Sequence, residues 1–316
     1  MRVATVDIGT NTVLLLVAER DTDGSLRAIA ERATITRLGQ GVDRSRRLAP
    51  DAIARTKACL DEYGRVTREH GAARVAVVGT SAMRDAEGGG ELRDHVRSTF
   101  GVDVRVVSGR DEGRLTFQGA LSGLTLGVRE GVAVFDIGGG STEIVIADGA
   151  SASDIAYVDS FDVGSVRLSE RHVTHDPPTR TELDTLTRVS RETFGRVPPL
   201  SGNAPPVGIA GTMTTLAAVS LELTPYDGAR VHGHVMPQRD LRRVVDHLAA
   251  IDLKARRSVL GMEPKRADVI VAGGAIALAL LEHWNAPAVV ISDRGVRWGL
   301  AEELLAGAAN APIRQP

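Results

Sequence analysis

The sequence contains very little cysteine, since Cys59 is the only one among 316 residues. A single thiol excludes an intrachain disulfide framework and the cysteine clusters that hold structural zinc or iron–sulfur centres. Cys59 lies in Asp51–Val66, a stretch that reads as a helix, where a buried thiol packed as a small apolar group is the expected role. The chain is long enough for two domains of ordinary size, each with its own hydrophobic core.

Long apolar runs and a strong net charge are also missing. No stretch reaches the roughly 18–20 apolar residues that a membrane-spanning helix needs, and Met1 leads directly into the apolar run Val3–Val6 without a signal peptide. We therefore expect a cytoplasmic protein with no membrane partner. The formal net charge of −2 argues against a nucleic-acid partner, so a polyanionic substrate would have to be held by local groups.

One motif is present in two copies. Val3–Ala18 and Val132–Ala147 each read as an apolar strand, a turn rich in small and hydroxyl residues, and a second apolar strand. Each copy carries an aspartate near the end of its first strand, Asp7 or Asp136. Two such hairpins at a long spacing predict two homologous domains, each of which opens with the same element.

Strands alternate with helices through the rest of the chain. This alternation predicts an α/β protein with a largely parallel, helix-covered sheet in each domain. One predicted unit consists of a strand at Ala267–Ala272, a turn at Gly273-Gly274 and a helix at Ala275–His283.

The two hairpin turns have the composition of phosphate-binding loops. Glycine lets backbone N–H groups point into a concave nest, and such nests bind phosphate oxygens. The residues expected to contact phosphate are therefore Thr10, Asn11, Thr12, Gly138, Gly139, Gly140, Ser141 and Thr142. An aspartate beside such a turn repels phosphate but can hold Mg²⁺, which assigns Asp7 and Asp136 to the metal. The structural alternative, an Asp-x-Gly that only starts a tight turn, is open for either copy alone and is less favoured by two related copies.

The paired hairpins resemble the two phosphate loops of the actin, Hsp70 and sugar-kinase superfamily. This resemblance implies two ribonuclease-H-like (actin-like ATPase) domains, with mixed sheets flanked by helices and an interdomain cleft that closes on a phosphate chain and Mg²⁺. A third segment, Gly208–Thr212, resembles the glycine-rich motif of the superfamily's second domain and implies phosphate contacts by Gly211 and Thr212. Ile209 and Ala210 depart from that motif, which leaves nucleotide binding there open.

Other segments are similar to the exopolyphosphatase/guanosine pentaphosphate phosphatase (Ppx/GppA) family. Val107–Leu115 is similar to the family's Ser-Gly-x-x-Glu-Ala-Arg signature, with Gly113 in place of the usual alanine, and Thr80–Ala86 resembles the stretch Ala-Thr-x-Ala-x-Arg-x-Ala. Further matches are Val163–Leu168, Val231–Gly233, Arg266–Ile270 and Ser292–Leu300. The resemblance runs from residue 3 to about residue 305 and lacks only the C-terminal helical domains of longer members, so we expect a preference for shorter polyphosphates.

The family resemblance also implies a reaction and its residues. The reaction is the Mg²⁺-dependent hydrolysis of the terminal phosphate of inorganic polyphosphate, with Glu112 as the base that activates water. Arg84 is assigned to bind phosphate oxygens, because a forked guanidinium suits them. Asp136 is assigned to catalysis as well as to the metal, and Glu143 is assigned to the metal or to water. Structural alternatives are a Glu112 that complements a helix dipole and an Arg84 on the surface, and the side on which Glu143 points is open.

A second substrate and two other protein classes also fit parts of this sequence. The competing substrate is guanosine pentaphosphate (pppGpp), and the competing classes are a small-molecule kinase, which needs water-excluding insertions with little room here, and an actin-like scaffold. We expect domain I at residues 1–124, domain II at residues 125–293, and a C-terminal helix at residues 294–316 that packs back on domain I. A homodimer is implied by the resemblance.

Overall fold

The structure is a computed structural model that describes residues 1–124, 131–200, 202 and 204–307. The chain forms two compact units, one built from Met1–Gly123 and the segment that begins at Gly295, the other from Leu124–Arg294. Residues 125–130 and 308–316, where the predicted domain limit and the end of the predicted terminal helix fall, lie outside the described residues. Among those described, no helix has the length and apolar character needed to cross a membrane.

The first unit contains five strands and six helices within its described residues. The strands are β1 (Arg2–Ile8), β2 (Thr12–Arg20), β3 (Leu26–Ile35), β4 (Arg74–Gly79) and β5 (Val104–Val106). The helices are α1 (Val42–Ser45), α2 (Pro50–Glu69), α3 (Ser81–Asp85), α4 (Gly90–Phe100), α5 (Gly109–Leu121) and, returning from the end of the chain, α13 (Val296–Leu305).

The second unit contains six strands, seven α-helices and two short 3₁₀ helices in its described part. The strands are β6 (Val132–Ile137), β7 (Thr142–Ala147), β8 (Ile155–Phe161), β9 (Val207–Ile209), β10 (Val235–Pro237) and β11 (Ala288–Ile291). The α-helices are α6 (Ser165–His172), α7 (Arg180–Phe194), α8 (Ala210–Ser220), α9 (Gly228–Val231), α10 (Gln238–Ala250), α11 (Leu253–Arg256) and α12 (Ile270–His283). The 3₁₀ helices are Ala152–Asp154 and Pro264–Arg266.

The two sheets repeat one topology. The first has the order β3-β2-β1-β4-β5, and the second has the order β8-β7-β6-β9-β11 with β10 added at its edge. The directions also match, because each hairpin pair is antiparallel and each following pair is parallel. The duplication therefore extends from the hairpins to five strands of each unit, and the predicted α/β class with mixed, helix-flanked sheets is confirmed. The expectation of largely parallel sheets is wrong, because the hairpin strands pair antiparallel.

Side-chain alternation along β1 explains how helices cover both faces of the first sheet. Ala4, Val6 and Ile8 point to one face and pack in a core with residues of α2 and α4. Val3 points to the other face and packs with Trp298 of α13. Thr5, on that second face, donates its hydroxyl to the Arg297 carbonyl at 2.8 Å. Helix α13, the last one in the described part of the chain, therefore completes the core of the first unit.

The strand predicted at Ala267–Ala272 is wrong. Residues Ile270–His283 form one uninterrupted helix, α12, which contains the Gly273-Gly274 pair. A short apolar run has the same appearance in a buried strand and in a buried helix, so periodicity alone does not separate the two. The glycines serve packing, because a Cβ at position 273 would lie 2.5 Å from Thr212 Cγ2 and one at position 274 would lie 2.4 Å from Val245 Cγ2.

Glycines also set the close contact between α5 and α13. A Cβ on Gly119 would lie 2.0 Å from the Gly295 carbonyl oxygen, and a Cβ on Gly299 would lie 2.1 Å from the Leu115 carbonyl oxygen. These atoms belong to backbone, so they cannot move aside as a flexible side chain can. The contact between the two helices therefore requires residues without side chains.

Gly119→Ala should destabilise the first unit by about 1–3 kcal/mol, because overpacking forces backbone shifts. The matched control is Gly90→Ala in α4, where an added Cβ meets nothing within 4 Å, so its unfolding free energy should stay within about 0.5 kcal/mol of wild type or rise. Urea unfolding followed by circular dichroism measures both. Equal unfolding midpoints for the two variants would contradict the packing argument.

Candidate active site

The candidate residues of the first unit follow the carboxyl ends of three parallel strands. Ile8 at the end of β1 pairs with Gly79 at the end of β4, and Gly79 pairs with Val106 at the end of β5. The hairpin turn follows β1, Arg84 lies on α3 just after β4, and Glu112 lies on α5 just after β5. This edge of an α/β sheet is where such folds bind their ligands.

The first hairpin turn has a defined hydrogen-bond pattern. The Gly9 N–H donates to the Thr12 carbonyl at 3.1 Å, and a Cβ on Gly9 would lie 2.8 Å from that same oxygen. The carbonyls of Thr10 and Asn11 accept from backbone N–H groups of segment 36–39 at 2.8–3.1 Å. The N–H groups of Thr10 and Asn11 donate to no protein acceptor in the described part of the chain. Two backbone donors at the turn are thus available to a ligand.

Arg84 and Glu112 are brought together in the first unit. Arg84 Nη1 donates to Glu112 Oε2 at 3.1 Å and to the Val107 carbonyl at 3.0 Å. Glu112 is 6% exposed, and the Arg84 side chain is 25% exposed. Glu112 is therefore more than a surface charge at a helix N-terminus, and Arg84 is not a solvated arginine.

The start of α5 holds Glu112 in place. Ser108 caps this helix by accepting from the Asp111 N–H at 3.1 Å, and the Glu112 N–H donates to the Ser108 carbonyl at 2.8 Å. The Ser-Gly pair that begins the signature is thus the helix start that positions the carboxylate.

The second hairpin repeats the turn of the first. The Gly138 N–H donates to the Ser141 carbonyl at 3.0 Å, as Gly9 does to Thr12. Gly139 and Gly140 occupy the places of Thr10 and Asn11, and their N–H groups likewise have no protein acceptor within the described ranges. The two predicted phosphate loops therefore present the same pair of backbone donors, each in its own unit.

Two carboxylates face each other across the second hairpin. Asp136 and Glu143 are directly opposite in the antiparallel register, so both side chains lie on the same face of the sheet. Asp136 is 9% exposed and Glu143 is 1% exposed. Ser160, the neighbour of Glu143 on β8, donates its hydroxyl to Glu143 Oε1 at 2.7 Å. The orientation of Glu143, open from the sequence, is therefore towards Asp136.

This donor set fits a magnesium ion. Like charges opposite each other in a sheet repel, and a cation removes that repulsion. The described residues contain no group of three acidic, histidine or cysteine side chains arranged to hold a metal by themselves. Mg²⁺ commonly takes one or two protein carboxylates and completes its shell with water and substrate phosphates, as this pair would allow. In the first unit Asp7 is 8% exposed and lies opposite Leu14, so the hairpin of that unit offers a metal one carboxylate.

Three of the residues predicted to bind phosphate make close contacts inside their own unit. Two do so through their hydroxyls, and the third is a glycine that lies against another side chain. Thr142 is fully buried and donates its hydroxyl to the Val163 carbonyl at 2.5 Å, while Thr212 donates to the Ile137 carbonyl at 3.0 Å. A Cβ on Gly211 would lie 2.0 Å from Arg266 Nη1, so this glycine leaves room for a guanidinium. Their predicted contacts with phosphate remain predictions.

Position 210, at the start of α8, has a backbone conformation that is unusual for a residue with a side chain. Ala210 has a φ of 66°, a left-handed conformation that glycine adopts readily and alanine does not. Position 210, where the resembled motif has glycine, thus adopts a conformation that favours glycine.

Two residues of the site carried no recognisable signal in the sequence. Ser160 reaches Glu143 because β8 pairs with β7, and Arg167 donates from Nε to the Gly140 carbonyl at 2.7 Å because α6 starts beside the turn. Arg167 lies in a segment matched to the family by its residues, but nothing in that match assigned it a role. Such residues are recognised only when the structure shows which separate segments pair and pack together.

Two α/β units that repeat one strand order and one turn-bearing hairpin define the class of two-domain proteins with the actin-like ATPase fold. Within that class the chain belongs to the Ppx/GppA phosphatase family, which it matches over residues 16–307, and it is a phosphatase. It is 38% identical to "Exopolyphosphatase 2" of Mycobacterium tuberculosis, over 96% of this chain and 98% of that one.

Two further comparisons agree with this assignment. A crystal structure of the Aquifex aeolicus Ppx/GppA family member matches 98% of this chain and 99% of its own, at 35% identity and a TM-score of 0.81. "Guanosine-5'-triphosphate,3'-diphosphate pyrophosphatase" of Vibrio cholerae is 28% identical over 98% of this chain, which spans 61% of that longer relative. The family predicted from the motifs is confirmed.

Asp136→Asn should stabilise the metal-free protein by about 0.5–1 kcal/mol, because it removes one of two facing carboxylates and active-site groups are commonly held at a cost in stability. Asp148→Asn, at an exposed position just beyond β7, is the control and should leave stability unchanged. Thermal unfolding in excess chelator measures both variants. A lower midpoint for Asp136→Asn would contradict the repulsion argument.

Proposed function

We propose that the protein is a Mg²⁺-dependent exopolyphosphatase that releases the terminal phosphate of inorganic polyphosphate. The observation that carries this proposal is the buried Glu112–Arg84 pair beside a turn with two available backbone N–H groups. The name of the M. tuberculosis relative supports the choice of polyphosphate.

Glu112 acts as the general base in this proposal. It takes a proton from a water molecule as that water attacks the terminal phosphorus, and the bond from phosphorus to the bridging oxygen breaks. Arg84, whose forked guanidinium suits phosphate oxygens, neutralises charge that develops on the transferred group. That guanidinium pairs with Glu112, so an incoming phosphate would share the same cation.

The two hairpin turns bind the substrate phosphates in this proposal. Phosphoryl transfer demands little covalent chemistry from a protein, and most of the catalysis comes from positioning and from donors aimed at the equatorial oxygens. The available N–H groups of Thr10, Asn11, Gly139 and Gly140 supply such donors. Bound Mg²⁺ would offset phosphate charge, and Asp7, Asp136 and Glu143 are the carboxylates that would hold it.

The finer expectations from the family resemblance belong to the same proposal. They are a homodimer in the cytoplasm whose partner is polyphosphate or a related phosphate-chain polyanion, without a nucleic-acid or membrane partner. Guanosine pentaphosphate is the second candidate substrate, favoured by the name of the V. cholerae relative. A substrate panel that contains tripolyphosphate, long-chain polyphosphate and guanosine pentaphosphate separates the two candidates.

Glu112→Gln should lower phosphate release by roughly 10²–10⁴-fold on the preferred substrate, because the amide keeps the shape and cannot accept the proton. Glu62→Gln, on the exposed side of α2, is the matched control and should retain full turnover. Initial rates of orthophosphate release measure both variants. Unchanged turnover in Glu112→Gln would remove the mechanism, and wild-type protein inactive on every polyphosphate would remove the substrate.

Removal of divalent metal should abolish phosphate release, and added Mg²⁺ should restore it. Asp7→Asn and Asp136→Asn, one substitution in each unit, should both raise the Mg²⁺ concentration needed for half-maximal rate by at least about tenfold, the size of effect seen when outer-shell partners alone are lost. Rates measured across a Mg²⁺ titration test this. Full activity in chelator, or an unchanged titration for both variants, would contradict the metal assignment.

A further inference from the structure

The start of α6 donates hydrogen bonds to the carbonyl groups of the second hairpin turn. The carbonyl oxygens of Gly138 and Gly139 accept from backbone N–H groups of residues 165–167 at 2.9–3.0 Å. The next carbonyl, that of Gly140, accepts from Arg167 Nε at 2.7 Å. No other donor among the described residues reaches the Gly140 oxygen. Three successive carbonyls of the turn therefore point to the same helix start, and a side chain holds the third.

This arrangement determines where the N–H groups of the turn point. In a planar trans peptide the C=O and N–H bonds point in opposite directions. Because the carbonyls of Gly138, Gly139 and Gly140 face α6, the N–H groups of Gly139, Gly140 and Ser141 point away from it. Successive N–H groups turned to one side form the concavity that binds anions. The direction of the Ser141 N–H depends on the one peptide that Arg167 holds.

These hydrogen bonds require the start of α6 to lie very close to the backbone of the turn. A Cβ on Gly164, just before α6, would lie 2.5 Å from the carbonyl carbon and oxygen of Gly139, so only glycine lets the helix start reach the turn. Arg167 itself is 7% exposed, and its Nη2 lies 3.8 Å from an Asp162 carboxylate oxygen. The Arg167 side chain is thus buried against the turn, with its Nε–H on a backbone carbonyl.

In the first unit the carbonyls of the turn accept hydrogen bonds from backbone N–H groups. There the carbonyls of Thr10 and Asn11 are held by backbone N–H groups of segment 36–39. The Asn11 carbonyl, which is equivalent to that of Gly140, accepts from both Thr36 and Arg37 N–H groups, at 3.1 and 3.0 Å. The orientation of the last peptide of the turn therefore rests on the main chain in one unit and on Arg167 in the other.

We infer that Arg167 is a positioning residue for phosphate binding by the second hairpin turn. Its Nε–H holds the Gly140–Ser141 peptide so that the Ser141 N–H faces the terminal phosphate of a polyphosphate or an inorganic phosphate ion. The role requires a donor at the ε position and does not require the positive charge. This inference rests on the proposed function, which supplies the phosphate ligand.

Two substitutions separate the donor from the charge. In Arg167→Gln the amide nitrogen occupies the same number of bonds from Cα as Nε does, so the donor is kept and the charge is lost. In Arg167→Met the chain is kept as far as the ε position, and both the donor and the charge are lost. The ligands are inorganic phosphate and tripolyphosphate, with affinity measured by calorimetry and by the rise of the unfolding midpoint, so no turnover is needed. Phosphate release, kcat and KM are measured in parallel.

Arg167→Met should weaken binding of both ligands and lower kcat/KM by about 10- to 100-fold, the span expected when a buried carbonyl loses its donor. Arg167→Gln should stay within about threefold of wild type. Equal losses in the two variants would overturn the inference in favour of a charge contact. A lower unfolding midpoint for Arg167→Met with unchanged ligand affinity would overturn it in favour of a structural role.

The outcomes also separate this inference from the proposed function. In one outcome the wild-type protein binds tripolyphosphate but hydrolyses no polyphosphate, while Arg167→Met binds more weakly and Arg167→Gln binds normally. That outcome would overturn the function and support the positioning role. Wild-type protein that hydrolyses polyphosphate, with an Arg167→Met variant that binds and turns over normally, would support the function and overturn the positioning role.

Discussion

A planar peptide whose carbonyl is bound inside a unit must direct its N–H to the other side. Both hairpin turns of this phosphatase obey that constraint. Segment 36–39 binds the carbonyls of the first turn, and the start of α6 binds those of the second. The donors that remain are backbone groups of fixed direction, which need no reorganisation to meet an anion. In each unit the other candidate residues follow the same edge of the sheet as its turn.

The duplicated topology gives each unit the same framework and different chemistry. In both, a threonine that follows the fourth strand of the repeat binds the carbonyl before the turn: Thr80 N–H donates to Ile8 at 3.2 Å, and the Thr212 hydroxyl donates to Ile137 at 3.0 Å. The first unit adds the buried Glu112 and its arginine, while the second adds facing carboxylates. The two units thus share a scaffold and differ in their reactive groups.

Local departures from good packing rules coincide with the site. Buried carboxylates lie opposite each other at Asp136 and Glu143, and Ala210 adopts a left-handed conformation at the start of α8. Such features destabilise a fold unless a ligand compensates, and proteins tolerate them mainly where function requires them. The close glycine contacts between α5 and α13 are different, because they lie in the core and serve packing.

The sequence by itself determined the α/β class, the duplicated hairpins, the family and the residues flanking both turns, because those signals are local patterns of strand, glycine and acid. The predicted strand at Ala267–Ala272 failed because a short buried apolar run has no period that distinguishes a strand from α12. Only the tertiary structure decided that Glu143 faces Asp136, that Arg84 pairs with Glu112, and that Arg167 holds the Gly140 carbonyl. Each of these is a contact between segments distant in sequence, set by strand register and helix packing, which no local pattern encodes.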